Sequence, residues 1–354
     1  MGRGEPDGRD TARFADRVIA DLGAAMAAGA VVLGDRLGLY RALAAGRMRP
    51  LELARRTGTA PRYVEEWLRG QAAGGYVEYE PGSGEYWLTP EQQDTLAGPA
   101  GPLDGPGAFE LAVGALQAVP RLEAAFRTGE GIGWHDHDSQ VFDGWARLQH
   151  CLYSGDLVPR WLPALDGVIR KLRRGARVAD VACGHAVSTI LMAQAFPASR
   201  FDGFDYHAES LEVARKRVAD AGLGARIRVE EAYAHTFDGG PYDLITTFEA
   251  LHDVGDPAGL ARHVAGRLAP DGTWMIVEPL GGPTVSENLH TVGRLYYSMS
   301  MYFCVPSALA QEGGHSMGAL AGEEPIRRVV TAGGFGRFRR IAQTALTAVY
   351  EARR

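Results

Sequence analysis

The chain has 354 residues, 46% hydrophobic and 23% charged side chains and a formal net charge of −6, an ordinary globular composition with room for two domains. Its three cysteines, Cys151, Cys183 and Cys304, form no Cys-x-x-Cys pair, which excludes a disulfide framework and a thiolate zinc ribbon and fits a reducing cytoplasm. Interspersed charges of both signs give no pull toward nucleic acid or a membrane surface, and no uninterrupted apolar run approaches the ~18 residues that span a bilayer.

Residues 1–13 are polar and Gly-rich and read as a disordered leader. From Phe14 to about Ala45, Ala and Leu at helical spacing predict two amphipathic helices. A helix over 51–57, a turn at Gly58 and a second helix with Thr59 as N-cap and Pro61 in its first turn read as helix-turn-helix. A hairpin over 75–89, turning at 81–84, completes a winged helix, so 14–95 is expected to be a winged-helix dimerisation domain. The second helix of the pair carries Arg62, Glu65, Glu66 and Arg69, a neutral sum, whereas phosphate contacts need excess cations. Dimerisation or a substrate-side role is therefore expected ahead of DNA binding. Residues 95–110, rich in Gly and Pro, read as a linker within a helical substrate-side region over 96–165.

From Arg177 short apolar strands alternate with helices: strands over 177–182, 200–204, 226–229, 242–247 and 273–277, helices over 186–196, 208–221 and 257–268. This is a doubly wound parallel sheet, assigned to a domain over 166–354. The first strand runs into the Gly184 turn, where a helix N-terminus favours the polar tail of a ligand. Ala182 and Ala186 stand where a dinucleotide fingerprint has glycines, so NAD and FAD are disfavoured. Asp205 ends the second strand about 20 residues later, where a carboxylate accepts both hydroxyls of a ribose.

The runs DVACGHA (180–186), FDGFD (201–205), VEEAYAHTF (229–237), PYDLITTFEALHDV (241–254) and LAPDGTWMIVEP (268–279) resemble class I S-adenosylmethionine-dependent methyltransferases over roughly 165–345, and the front end is similar to that of natural-product methyltransferases. The resemblance implies a Rossmann-like catalytic α/β domain and S-adenosylmethionine as cofactor. It places Asp180, Ala182 and Gly184 around the methionine part, Asp205 on the ribose, Glu231 and Ala232 beside the adenine, and Phe248 after the fourth strand. A small-molecule substrate and a cytoplasmic homodimer go with it.

His252 and Asp253 follow the fourth strand, at the sheet edge where ligands bind in open α/β folds. His290 and His315 fall in the insertion after the fifth strand, which is expected to cover the substrate. Three imidazoles from separate loops could hold zinc or iron with the substrate completing the coordination. The segment CVPSALAQEGGHSMGALAGEE (304–324) resembles a bacterial methyltransferase group with C-x-x-SLAQGG and GEE in which no metal is implied. His252, Asp253 and His315 instead look like the metal-dependent enzymes that methylate the β-carbon of 2-oxo acids. Metal-assisted C-methylation of a 2-oxo acid, with His252 or Asp253 as base, is thus one expectation. The alternative is metal-free O-methylation of an aromatic acceptor with His252 as general base, and a regulator that senses S-adenosylmethionine and binds DNA stands in another class. A second ligand-rich run, Trp134 to Asp138, reads as a solvated loop at the entrance. Arg147 and Tyr153 are set as possible partners of a substrate carboxylate and carbonyl. The aromatic and Met run over 296–303 reads first as core packing, with pocket lining or a dimer-facing helix as the alternatives.

Overall fold

The computed structural model describes residues 8–98, 101 and 103–354. They divide into two compact units, Met1–Val113 with Asp143–Cys151, and Gly114–Phe142 with Leu152–Arg354.

In the first unit a long helix, Gly8–Arg36, is followed by the short helix Leu39–Leu43. Two helices are as expected, but the first begins at Gly8, so only residues 1–7 of the expected leader lie outside the described ones. By length and composition this helix could cross a membrane, and it is the one such helix among the described residues. Its charges at 9, 10, 13, 16, 17 and 21 precede a long Ala-rich stretch. The helix-turn-helix comprises Pro50–Thr57 and Pro61–Ala73. Gly58 takes the left-handed conformation that ends the first helix. Ala60, not Thr59, is the N-cap of the second, and no side chain caps it; Pro61 stands at the first helical position, where its fixed φ suits the helix and its missing N–H costs nothing. The wing is the hairpin of β1 (Glu78–Glu80) and β2 (Glu85–Trp87). Leu39, Tyr40, Leu43, Leu53, Val64, Leu68, Val77 and Tyr86 form one buried core. The linker expected to reach 110 is shorter: a helix spans Gly105–Leu116. Asp104 accepts the Gly107 N–H at 2.7 Å and Pro106 lies in the first turn, two start signals that outweigh the Gly content.

The second unit carries a seven-stranded sheet built from β3 (Arg177–Val181), β4 (Arg200–Asp205), β5 (Ile227–Glu231), β6 (Tyr242–Phe248), β7 (Leu268–Pro279), β8 (Arg337–Gln343) and β9 (Thr347–Arg353), in the order β5-β4-β3-β6-β7-β9-β8. The first five strands are parallel, as the alternation of apolar runs and helices predicts. The last two pair antiparallel, with β9 seated between β7 and β8, so the sheet is mixed rather than wholly parallel. Val178, Ala179 and Val181 on β3, and Trp274, Met275, Ile276 and Val277 on β7, are fully buried, the near-continuous apolar character of strands covered on both faces.

Candidate active site

The Gly-rich turn joins β3 to the helix Val187–Ala195. Ala182, Gly184 and Ala186 all take positive φ, at 58°, 50° and 57°. The two alanines therefore adopt the backbone that glycines provide elsewhere, at a cost of about 1 kcal/mol each. Nothing lies within 4 Å of where a Cβ on Gly184 would stand, so the backbone there is open to a ligand. Asp180 is buried, and its carboxylate accepts hydroxyls from Ser188 (2.6 Å), Thr189 (2.5 Å) and Thr246 (2.8 Å). It ties β3 to the helix and to β6 rather than presenting a free acceptor to the turn. Burial raises its pKa against those three hydroxyls.

Asp205 ends β4 and is buried, with its oxygens on the N–H groups of Gly184 (2.8 Å) and His207 (2.9 Å). Burial raises this carboxyl too. His185, also buried, is held down to about 4 by burial and by Arg217, so a neutral imidazole sits in the turn. Glu231 closes β5 and is exposed, while Ala232 donates its N–H to the Asp205 carbonyl at 2.9 Å. Beside them Tyr206 and Tyr233 stack with centroids 5.4 Å apart. The run from Trp134 to Asp138 lies beside this edge, the His135 and Tyr206 rings meeting edge-on, and Asp138 caps the helix Ser139–Ser154. It is only partly the solvated loop expected, since Trp134–Asp136 forms a 3-10 turn and His137 is buried against the Phe303 ring.

The residues after β6 form the second half of the site. Phe248 is buried against the Tyr153 ring, centroids 5.0 Å apart. His252 is 3% exposed. Its Nδ1 donates to Glu278 Oε2 on β7, and the other Glu278 oxygen takes the Leu251 N–H at 2.9 Å. Its Nε2 lies 3.0 Å from Asp253 Oδ1. Burial alone would keep the ring neutral, but the carboxylates of Asp253 and Glu278 on either side raise its pKa well above the ordinary value. Gln311 holds this turn from the insertion, donating to the Asp253 carbonyl at 2.8 Å and accepting the Gly255 N–H at 3.3 Å.

Glu249, next to Phe248, takes a positive φ of 51°. It is 8% exposed, and among the described residues neither carboxylate oxygen has a hydrogen-bond partner. Burial, with the charges of Glu278 and Asp253 opposing His252, pushes it up to about 8.

The metal-ligand set does not assemble. His290 is exposed and caps the helix Thr291–Met299, its Nδ1 accepting the Gly293 N–H at 3.1 Å. His315 is exposed, and its backbone N–H serves the Gly255 carbonyl at 2.9 Å. Helix capping and backbone pairing have set these two positions. Among the described residues, the group of three potential ligands with donor atoms within 4.8 Å of one another is His252, Asp253 and Cys304. His252 is already tied through Nδ1 to Glu278 and brings one imidazole where three were expected, so this group is not the expected metal-ligand set.

Arg147 is not a free receptor for a substrate carboxylate: within the first unit its guanidinium bonds Asp104 (2.9 Å), Asp35 (2.8 Å) and Glu110 (3.2 Å). Tyr153 packs between Trp161 and Phe248. Of the 296–303 run, Tyr296 and Phe303 are buried and Tyr297 and Met301 are partly open. Sequence reasoning missed Glu278 and Glu249; the signal for the first was an acidic residue ending the apolar run of β7.

Residues 178–272 match a methyltransferase-domain family and residues 24–97 match the Rv2258c-like winged helix-turn-helix domain. A ubiquinone biosynthesis O-methyltransferase of Bordetella avium is 29% identical over 190 residues, covering 49% of this chain and 75% of that protein. One from Neisseria meningitidis is 37% identical over 125 residues, covering 33% of this chain and 49% of that protein, so the chain spans about half the length of that relative. In fold the chain is similar to the mitomycin 7-O-methyltransferase MmcR, at TM-score 0.68, 18% identity, and 98% and 100% of the two chains. The O-methyltransferase NcsB1 of neocarzinostatin biosynthesis, solved with S-adenosylhomocysteine and 1,4-dihydroxy-2-naphthoic acid, aligns at TM-score 0.63, 19% identity, and 95% and 98%. Human N-acetylserotonin methyltransferase aligns at TM-score 0.69, 16% identity, and 100% and 99%.

Proposed function

Since the chain carries a methyltransferase domain behind a winged helix-turn-helix domain, we propose that it methylates a hydroxyl of a small aromatic molecule, with His252 as general base. The observation that carries this reading is the buried His252 bound through Nδ1 to Glu278. That bond leaves Nε2, 3.0 Å from Asp253 Oδ1, as the nitrogen that takes a proton once the ring is neutral. As the acceptor oxygen forms its bond to carbon, its proton passes to Nε2, and Glu278 and Asp253 stabilise the imidazolium. S-adenosylmethionine supplies, when bound, an electrophilic methyl on a sulfonium. Gly184 and its turn, Asp205, Glu231, Ala232 and Phe248 are the residues that would hold it, and the open backbone at Gly184 supports that assignment. Asp180 braces the turn from behind.

The aromatic ligand named for NcsB1 supports the acceptor class. C-methylation of a 2-oxo acid loses its support with the dispersed imidazoles. The arginines of the second helix of the winged domain pair with its own glutamates, Arg69 with Glu65 at 2.5 Å and Arg62 with Glu66, which argues against a DNA-binding regulator. We infer further that the enzyme is a cytoplasmic homodimer joined through its N-terminal domain.

The test is transfer of labelled methyl from S-adenosylmethionine to phenols and to 2-oxo acids, with and without chelator. Transfer to phenols unaffected by chelator, reduced ~100-fold or more in H252A, is the expected result. Transfer confined to 2-oxo acids and abolished by chelator would overturn the reading.

A further inference from the structure

The reaction above uses His252, Glu278 and Asp253 and leaves Glu249 without a task. Its carboxyl is more than nine-tenths buried, both oxygens lack a partner, and it feels the charges of His252, Glu278 and Asp253. A buried carboxyl left unbonded is costly, and such groups are retained where something else supplies the partner. Among the described residues no neighbouring group does so here. The Tyr296 hydroxyl, within electrostatic reach, is committed to the Leu346 carbonyl at 3.1 Å. The Leu251 N–H is committed to Glu278, and the Glu249 N–H to the Val277 carbonyl at 2.7 Å.

Charge selects what the missing partner must be. His252 brings one positive charge, and it already lies against two carboxylates, Glu278 and Asp253. A third carboxyl in the same buried place favours a cation and disfavours an anionic ligand. Tyr296 and Cys304, which share the electrostatics of this cluster, come from the insertion after β7, whereas Gly184, Asp205 and Ala232 lie at the ends of β3, β4 and β5. Glu249 follows β6 three residues before His252 and lies within electrostatic reach of Tyr296 on the insertion, which groups it with the proposed base and the segment expected to cover the substrate.

We propose that Glu249 recognises the acceptor by taking a protonated amine, so that the substrate class is an aromatic hydroxyl compound bearing an aliphatic ammonium group. The inference rests on the reading of His252 as the base only for where the acceptor's hydroxyl lies. It is tested by binding, without turnover.

The full-length protein saturated with S-adenosylhomocysteine is titrated calorimetrically with matched pairs, 4-hydroxybenzylamine against 4-methylphenol and tyramine against 4-ethylphenol. The amine of at least one pair binds tenfold or more tightly than its amine-free partner, and E249Q reduces that ratio at least tenfold. Its melting curve and its affinity for S-adenosylhomocysteine establish that the variant is folded. Equal binding within both pairs by the unaltered protein overturns the proposal with no variant needed. So does a ratio that survives in E249Q. Weakened cofactor binding in E249Q with no amine preference in the unaltered protein overturns it as well, and moves Glu249 to the cofactor's own ammonium. A chain that shows the amine preference yet methylates no hydroxyl keeps this inference and loses the reading of His252.

Discussion

One carboxylate decides what His252 can do. Glu278 is 1% exposed and its two oxygens are fixed by the Leu251 N–H and the imidazole Nδ1, so tautomer and ring orientation are settled before any substrate arrives. Because Glu278 and Asp253 raise the imidazole pKa, the ring is charged in acid, and as the proposed base it becomes competent only as pH rises through that raised value. kcat/KM is therefore expected to climb with pH, with a midpoint above the ordinary histidine value of about 6.5. E278Q removes one of the charges responsible. Its acid limb moves to lower pH while the plateau falls by roughly ten- to a hundredfold, read from pH–rate profiles of the two proteins. A limb that stays in place would mean that Glu278 does not tune the base.

At the scale of elements, Asp180 ties β3, β6 and the helix Val187–Ala195 together through three side-chain hydroxyls. T246V keeps the shape of the strand residue and removes the hydroxyl on Asp180 Oδ1, a change worth ~1–2 kcal/mol of stability by denaturant unfolding with an unaltered slope. Much of this arrangement was legible in the sequence. The strand-to-helix alternation from 177 to 277 located every parallel strand: β3, β6 and the end of β7, covered on both faces, read as near-continuous apolar runs, while β4 and the largely polar β5 were placed by their order between helices. The position of Asp205 followed from its spacing after the Gly turn. The β8 and β9 hairpin escaped because Arg337, Arg339 and Arg340 interrupt the apolar pattern of an edge strand, and because Glu351, fully buried on β9, is balanced by Arg339 at 2.6 Å, a partner that no local pattern announces. His290 and His315 misled for a related reason. A histidine in a loop satisfies a helix end or exposes its ring to water as readily as it binds a metal, and only the folded insertion distinguishes these. Arg147 was misread because its three carboxylate partners lie 37 to 112 residues away in sequence.

For the molecule as a whole, the long first helix offers a face for the proposed dimer. Phe14, Ile19, Leu22 and Met26 along it are 60–74% exposed, an apolar stripe of the kind that a second copy covers. If that stripe is the dimer contact, I19D and M26K together weaken self-association by roughly a hundredfold, since each buries apolar area worth about 1.5–3 kcal/mol. Sedimentation across a dilution series reads the shift from dimer to monomer. Unchanged sedimentation would place the contact elsewhere.

The strand order carries a further consequence for biosynthesis. β9 is the latest of the nine strands in chain order, yet it sits inside the sheet and pairs along β7 from Trp274 to Pro279, with Glu278 opposite Ala348. During translation the five parallel strands can associate while β7 still presents a bare, apolar edge, and the carboxylate that steers His252 lies on that edge. Nascent chains ending before residue 347 would thus expose a surface prone to pairing with other unfinished strands. β7, which carries the Glu278 that holds His252, is paired on both sides only once this inner strand has emerged and closed the sheet.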